Sequence, residues 1–305
     1  MDDEQMITGT VPIAVRDHGG TGTPLLLLHG AGGNLLHWEQ TVPHLTAAFR
    51  VVTVDLRGHG HSGDGPWTWQ AVLDDLDTVV TALAPTAPAV AGHSLGGMLA
   101  GMWARRHPTC PAAVSLDGHR AAATHPANYA GLDPERLKQD LAVLNEAFAT
   151  QAEMMARPMT VEQADAFLQG QRAFAVAQGV DADAWVASAA RGLAERDGHT
   201  WMRPGPGITG ALRELPEFAD SLPIFREVTS PFLIVAATRN PPVPPALSAL
   251  MDAFRAGLRR DLADLAASRP NIEIQEIDAG HGMVAEQPEA IARIITRFVH
   301  AHTPR

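Results

Sequence analysis

A chain of 305 residues, 46% hydrophobic and 19% charged, carries too much apolar side chain for a disordered polymer and is long enough for one large core with an insertion. Its 23 Lys and Arg against 34 Asp and Glu leave a formal charge of −11, and no basic run appears, which argues against a nucleic-acid partner. The acidic start Met1-Asp2-Asp3-Glu4 lacks the cationic region of a secretion signal, Leu25 to Leu28 is far too short to span a membrane, and Cys110 has no second cysteine to bridge; a cytoplasmic setting with no membrane is expected.

Short apolar runs at Ile13–Arg16, Pro24–Leu28, Val51–Asp55, Ala89–Gly92 and Ala112–Leu116 are continuous rather than alternating, as strands are when both sheet faces are covered. Between them, Leu35–Phe49, Trp69–Leu83 and Leu95–His107 place apolar residues three or four apart, which predicts helices. The rhythm returns late, with strands at Phe232–Ala237 and Ile272–Ile277 and helices at Leu247–Ala267 and Glu289–His302. This alternation predicts an α/β fold with a mostly parallel, doubly wound sheet. From about Ala121 to Leu222 no strand is expected. Helices are predicted there at Glu135–Ala156, Val161–Gln178 and Ala182–Glu195, and a loop at Arg203-Pro204-Gly205-Pro206-Gly207. The expected organisation is a core of 1–120 and 223–305 interrupted by an all-helical cap insertion at 121–222.

One stretch carries chemistry more plainly than any other. Gly92-His93-Ser94-Leu95-Gly96 is G-x-S-x-G between a buried strand and a helix, where a tight turn lifts the serine hydroxyl above the sheet edge. Glycines at 92 and 96 are expected because a Cβ at either would collide across that turn. A serine needs a base. Of 14 histidines, His281 in Ala279-Gly280-His281-Gly282 follows the last strand and so lies at the same carboxyl edge as Ser94. A carboxylate must orient that imidazole. Asp117, at the end of the strand after the nucleophile helix, is the favoured candidate; the other natural place reads Thr238-Arg239-Asn240-Pro241 and has no carboxylate. The small residues of His29-Gly30-Ala31-Gly32-Gly33 let backbone N–H groups approach a substrate oxygen, so Ala31 and Leu95 are the expected oxyanion donors. His59 and His61 lack a third ligand in register and are read as structural. Trp38, Met154 and Trp185 are the expected substrate-binding residues, with Met155, Met159, Phe167, Phe174 and Trp201 as further candidates for a pocket wall.

With these motifs in place, the sequence resembles the α/β-hydrolase fold superfamily, in its large group with a helical cap. The resemblance rests on the His29-Gly30 loop, the Asp55–Ser62 turn, the elbow around Ser94 and the Gly280-His281 loop, in the family's order. Many members carry the acid in the loop corresponding to Asn240; some, including certain lipases and lactone hydrolases, place it where Asp117 stands. Haloalkane dehalogenases and most epoxide hydrolases of the fold use an aspartate nucleophile, and Ser94 argues against both. What the resemblance implies is a serine hydrolase of a small to medium, mostly apolar ester or lactone, needing no cofactor or metal. The same constellation supports carbon–carbon bond hydrolysis or perhydrolysis. A binding or cyclase-like protein that keeps the fold without turnover is the alternative of a different class. The partner expected is a small-molecule substrate.

Overall fold

The computed structural model describes residues 4–303, apart from 85 and 242. Met1–Asp3, part of the acidic start, lie outside the described residues. The strands are β1 (Glu4–Thr8), β2 (Pro12–Asp17), β3 (Thr23–Leu28), β4 (Phe49–Val54), β5 (Ala89–His93), β6 (Ala113–Leu116), β7 (Leu193–Arg196), β8 (His199–Met202), β9 (Phe232–Ala237) and β10 (Ile272–Ile277). The helices are α1 (Trp69–Leu83), α2 (Leu95–Arg106), α3 (Pro134–Met155), α4 (Val161–Gln178), α5 (Ala182–Arg191), α6 (Pro206–Glu214), α7 (Pro216–Ala219), α8 (Leu222–Phe225), α9 (Ser248–Ser268), α10 (Met283–Glu286) and α11 (Pro288–His302). None of the described helices is long and apolar enough to cross a membrane.

Eight strands form one sheet in the order β1-β2-β4-β3-β5-β6-β9-β10. From β4 to β10 every pairing is parallel; only the β1–β2 and β2–β4 pairings are antiparallel. Side chains alternate across a strand, so each parallel strand feeds two cores. Leu26, Leu28, Val90 and Ile234 pack with α1, α2 and α9, while Leu25, Leu27, Ala89, Val114 and Val235 pack on the other face with α11 and Trp38. Covering both faces explains why these strands read as unbroken apolar runs. Full burial of a Leu such as Leu27 is worth about 1.5–3 kcal/mol.

Four local expectations fail for physical reasons. Leu35–Phe49 is not an α-helix but two 3₁₀ turns, Leu35–Trp38 and Val42–His44, because Pro43 lacks an N–H and blocks a continuous ladder. The helix expected to reach Glu195 stops at Arg191 before Gly192. Residues 193–202 then form the β7–β8 hairpin, so the insertion is not all helical; its turn, Asp197-Gly198, has positive φ at both positions (52° and 74°), the arrangement that Asp-Gly favours. Pro206-Gly207 does not stay in a loop, since Pro206 opens α6, where its missing N–H costs nothing. Edge strand β1 went unpredicted because its residues are largely exposed and carry no burial pattern.

The chain between β6 and β9 stands over the sheet edge and is tied to it by polar contacts. Asp55, fully buried after β4, accepts from Arg191 of α5 (Nη2–Oδ2 2.7 Å) as well as from the Leu35 and His61 backbone N–H groups. Arg191 also meets Glu4 at 2.9 Å. Asn34 donates to the Ser188 carbonyl at 2.7 Å.

Candidate active site

The strand-to-helix turn between β5 and α2 holds Ser94 at φ 54°, ψ −119°, outside the regions that ordinary residues occupy. Neighbouring glycines make the turn possible: a Cβ on Gly92 would lie 1.9 Å from the Gly96 carbonyl oxygen, and one on Gly96 would lie 2.2 Å from that of Leu28. On the turn after β10, His281 accepts from the Ser94 hydroxyl (Nε2–Oγ 3.1 Å). Its Nδ1–H donates to Asp117 Oδ2 at 2.7 Å. Residues 94, 117 and 281 thus come together from three loops at one sheet edge. The His281 side chain remains half exposed, so the constellation opens to solvent.

Asp117 follows β6 in the left-handed region, at φ 50°. Its Oδ1 accepts from the Ala237 N–H at the end of β9 (3.0 Å) and from His119 Nε2–H (3.1 Å). Burial pushes the Asp117 carboxyl up, but the His119 and His281 donors outweigh it and hold the group well below the usual carboxylate range. For His281, burial opposes the charged form, and the Asp117 carboxylate outweighs that and raises the pKa above 6.5. Asn240 takes no part in this arrangement. Its amide donates to Asp252 (2.9 Å) and accepts from Arg255 (2.9 Å), both on α9.

Two further histidines shape the edge. His93 donates Nε2–H to the His281 carbonyl at 2.7 Å, and its ring lies between those of His37 and His281, each 4.8 Å away centre to centre. Burial keeps His37 and the middle ring, His93, neutral, with His37 lowered to about 3 and His93 well below 6.5. His29 accepts the Leu56 N–H on Nε2 (3.0 Å), so its Nδ1–H donates to the Gly30 carbonyl at 2.8 Å. The Gly33 N–H reaches that same carbonyl at 2.9 Å. Since the Gly30 C=O and the Ala31 N–H point in opposite directions within one rigid peptide plane, these two bonds fix the direction of the Ala31 donor. Leu95 is the first residue of α2, so its N–H has no partner within the helix. The loop is close: a Cβ on Gly30 would sit 3.1 Å from Ser94 Cβ.

Beside the Ala31–Gly33 loop lies a cavity of about 770 Å³, walled opposite by Met154, Met159, Phe167, Trp185 and Met202. Met154 and Trp185 line this cavity, whose lining does not include Ser94, Asp117 or His281. Trp38 does not line it; it is wholly buried in the core under the sheet, and its neighbours Leu36 and His37 face the cavity instead. The 3₁₀ turn rotates successive side chains, and the largest apolar one turns inward. Met155 also faces this cavity, Trp201 lines an adjacent one, and Phe174 lies on the outer surface, 46% exposed. The cavity's Arg203 is spent on the Gly58, Gly60 and Ser62 carbonyls and on Asp64. His59 donates to the Arg57 carbonyl and His61 meets Glu4 at 2.9 Å; no group of three or more His, Cys, Asp or Glu among the described residues is arranged to hold a metal. Sequence reasoning missed His29, His93 and His119. The first two were visible as neighbours of Gly30 and Ser94; nothing local marks His119.

A hydroxyl bonded to an imidazole that is itself held by an ionised carboxylate is equipped to add to a carbonyl carbon. Relatives fit this chemistry. A pimeloyl-(acyl-carrier protein) methyl ester esterase from Vibrio atlanticus is 36% identical over 140 residues, 44% of this chain and 52% of that protein. The chain spans about half or less of the length of the first curated relatives it matches. Among solved structures, an E-2-(acetamidomethylene)succinate hydrolase superposes with a TM-score of 0.69 at 23% identity, over 98% of this chain and 99% of that one. The thioesterase domain from the curacin biosynthetic pathway superposes with a TM-score of 0.68 at 18% identity, over 97% and 99%. At such identities the likeness is one of fold. The family model of the alpha/beta hydrolase fold matches residues 23–288, and with the parallel sheet and the elbow at Ser94 in place the chain belongs to that family.

Proposed function

We propose that this chain is a serine hydrolase that cleaves a carboxylic ester or lactone through an acyl-enzyme on Ser94. The single observation that carries the reading is the continuous path from Ser94 Oγ through His281 to Asp117, at 3.1 and 2.7 Å. Ser94 Oγ adds to the carbonyl carbon as His281 Nε2 takes its proton, and Asp117 holds the resulting imidazolium. The carbonyl oxygen becomes an anion that accepts from the Ala31 and Leu95 N–H groups, each such donor being worth about two to three powers of ten in rate. The tetrahedral centre then collapses, the C–O bond breaks, and His281 returns its proton to the leaving alcohol. Water repeats the sequence on the acyl-enzyme, releasing the acid and restoring Ser94. These steps use only side chains and backbone groups of this chain.

Residues 121–222 act as a cap in this reading, and the Met-rich cavity receives a small to medium, mostly apolar part of the substrate. The ester-cleaving name of the Vibrio relative supports the reaction class. The test is labelling with a fluorophosphonate, followed by hydrolysis of an aryl ester by the protein and by Ser94→Ala. Labelling at Ser94, with turnover lost about 10⁶-fold in the variant, is expected. Folded protein that neither labels nor turns over would instead point to a binding role.

A further inference from the structure

The acid of this constellation sits on the turn after β6, and a second imidazole comes with it. Asp117 and His119 flank Gly118, and this turn lies directly against the elbow: a Cβ on Gly118 would be 2.1 Å from the Ser94 carbonyl oxygen. Ser115 Oγ donates to the Gly118 carbonyl at 3.0 Å, and the His119 carbonyl accepts the Ser221 N–H at 2.9 Å. The turn is therefore fixed on both sides. The His119 ring is buried, with 4% of its side chain exposed, and its Nε2 is 3.1 Å from Asp117 Oδ1. Its other nitrogen, Nδ1, is buried with no hydrogen-bond partner among the described residues. A ring that served only to fill space would not need to be imidazole, and the orphaned Nδ1 carries a desolvation cost that a phenyl ring would not.

Resting on the ester-hydrolase reading above, we propose that His119 is a positioning residue of the reaction, one that acts through Asp117. Its Nε2–H holds Oδ1, together with the Ala237 N–H, so that Oδ2 is the oxygen left facing His281 Nδ1. A carboxylate on a short side chain rotates readily about its Cβ–Cγ bond; two donors on one oxygen fix that rotation and leave the other aimed at the base. At the alternative position after β9, Asn240 donates to Asp252 and accepts from Arg255, so that position supplies no second acid.

The experiment compares His119→Phe, which keeps a ring and loses the donor, with His119→Gln, whose amide N–H reaches the place of Nε2. On an aryl ester, His119→Phe should lower kcat about tenfold or more with KM nearly unchanged, and His119→Gln should recover most of the loss. Loss of a donor leaves Asp117 holding the His281 proton more tightly, so the acid limb of kcat/KM should move to higher pH in His119→Phe. A defect confined to packing would leave the limb in place. Equal losses in both variants, or normal turnover in His119→Phe, would overturn the proposal. Should the variants fold poorly, imidazole ¹⁵N spectra of the unmodified protein decide: Nε2 of His119 must carry the proton, and a bare Nε2 would sink the idea. Fluorophosphonate labelling of the same sample separates the outcomes. An unlabelled Ser94 would dispose of ester hydrolysis, while the spectra still report whether His119 holds Asp117.

Discussion

Along β3, β5, β6 and β9, Leu25, Leu27, Ala89, Val114 and Val235 are at most 1% exposed, whereas on α3 and α4 of the insertion Val143, Met154, Val161, Phe174 and Val176 are 46–67% exposed. The two regions are packed to different ends. In the sheet, close packing holds the loops that carry Ser94, Asp117 and His281 within hydrogen-bond reach, and displacements as small as 1 Å there are costly. The segment 121–222 leaves apolar side chains of α3 and α4 exposed. It meets the rest of the chain both through apolar packing, Leu137, Leu141 and Leu144 against Leu250 and Leu212 in the main core, and through polar ties, chiefly Arg191 to Asp55 and Arg203 to the carbonyls of Gly58, Gly60 and Ser62. In the proposed reading, chemistry sits on the close-packed side and selection on the more exposed one.

The sharpest way to break this contrast is at the rigid side. Asp117→Asn should cut the acylation rate about 10⁴-fold while leaving KM within a few-fold, because the amide cannot hold the imidazolium. Asn240→Asp in the same background should restore nothing, since Arg255 donates to that side chain and would hold the new carboxylate by α9. Pre-steady-state bursts on an aryl ester measure both; a substantial rescue by Asn240→Asp would move the acid to the loop after β9.

The ties between the regions come next. Arg191→Met removes one partner of a buried pair and leaves the Asp55 carboxylate, wholly buried, with two backbone donors among the described residues. Breaking such a pair from one side costs about 3–5 kcal/mol. Adding Asp55→Asn to that variant should cost less than the sum of the two single changes, because the stranded charge is gone. Denaturant unfolding of all four proteins reads this directly, and strict additivity would mean that the pair does not couple sheet to insertion.

How much of this was legible beforehand divides along the same line. The elbow could be read because its glycines answer a backbone constraint that is local in sequence, and His281 because it follows the last strand and so falls at the same sheet edge. Asp117 could be favoured over Asn240 because one is a carboxylate and the other is not. Trp38 misled: its burial depends on how the 3₁₀ turn Leu35–Trp38 sets its side chains against the sheet, which apolar spacing does not report. The β7–β8 hairpin carried an Asp-Gly turn in plain view, outweighed by the helical spacing before it. His119 had no local sign, because its role arises only where the turn after β6 meets the end of β9.

Acid tests the rigid side more gently. His29, His59 and His93 are buried and held neutral by burial, His59 lowered to about 4 and the other two well below 6.5. Below 6.5 the unfolded chain takes up protons at these positions and the folded chain does not, so stability falls as pH falls. The loss begins near 6.5 and, for His59, ends near 4. Asp117 does not contribute to the loss across this window, because its carboxyl is held well below 3.8 and its stabilisation is surrendered only at lower pH. His281 has the opposite sign: its pKa is raised, so its contribution to stability is complete below 6.5 and lost as pH rises through the folded value. Activity needs His281 uncharged, so kcat/KM should fall on acidification at a pH above 6.5. Thermal melts and rate profiles over the same buffers should therefore separate, activity declining before stability.

The smallest effect is expected on the looser side, and it sharpens the contrast most. Trp185 faces the cavity, donates its indole N–H to Gln171 (2.8 Å) and lies 5.5 Å from the tilted ring of Phe174, and it takes no part in the hydrogen bonds that join Ser94, His281 and Asp117. Trp185→Ala should raise KM for a neutral apolar ester about tenfold, the scale of a lost apolar contact, and leave kcat nearly unchanged. Arg203, the one cation among the described residues lining the cavity, already donates to three carbonyls and Asp64, while Asp181 contributes an acidic group to the same wall. An ester whose tail ends in a carboxylate should therefore bind more weakly than a neutral ester of equal length, and Asp181→Asn should narrow that gap. A fall in kcat for Trp185→Ala as large as the rise in KM would mean that the insertion positions the reacting bond itself, and the division of labour between the two regions would not hold.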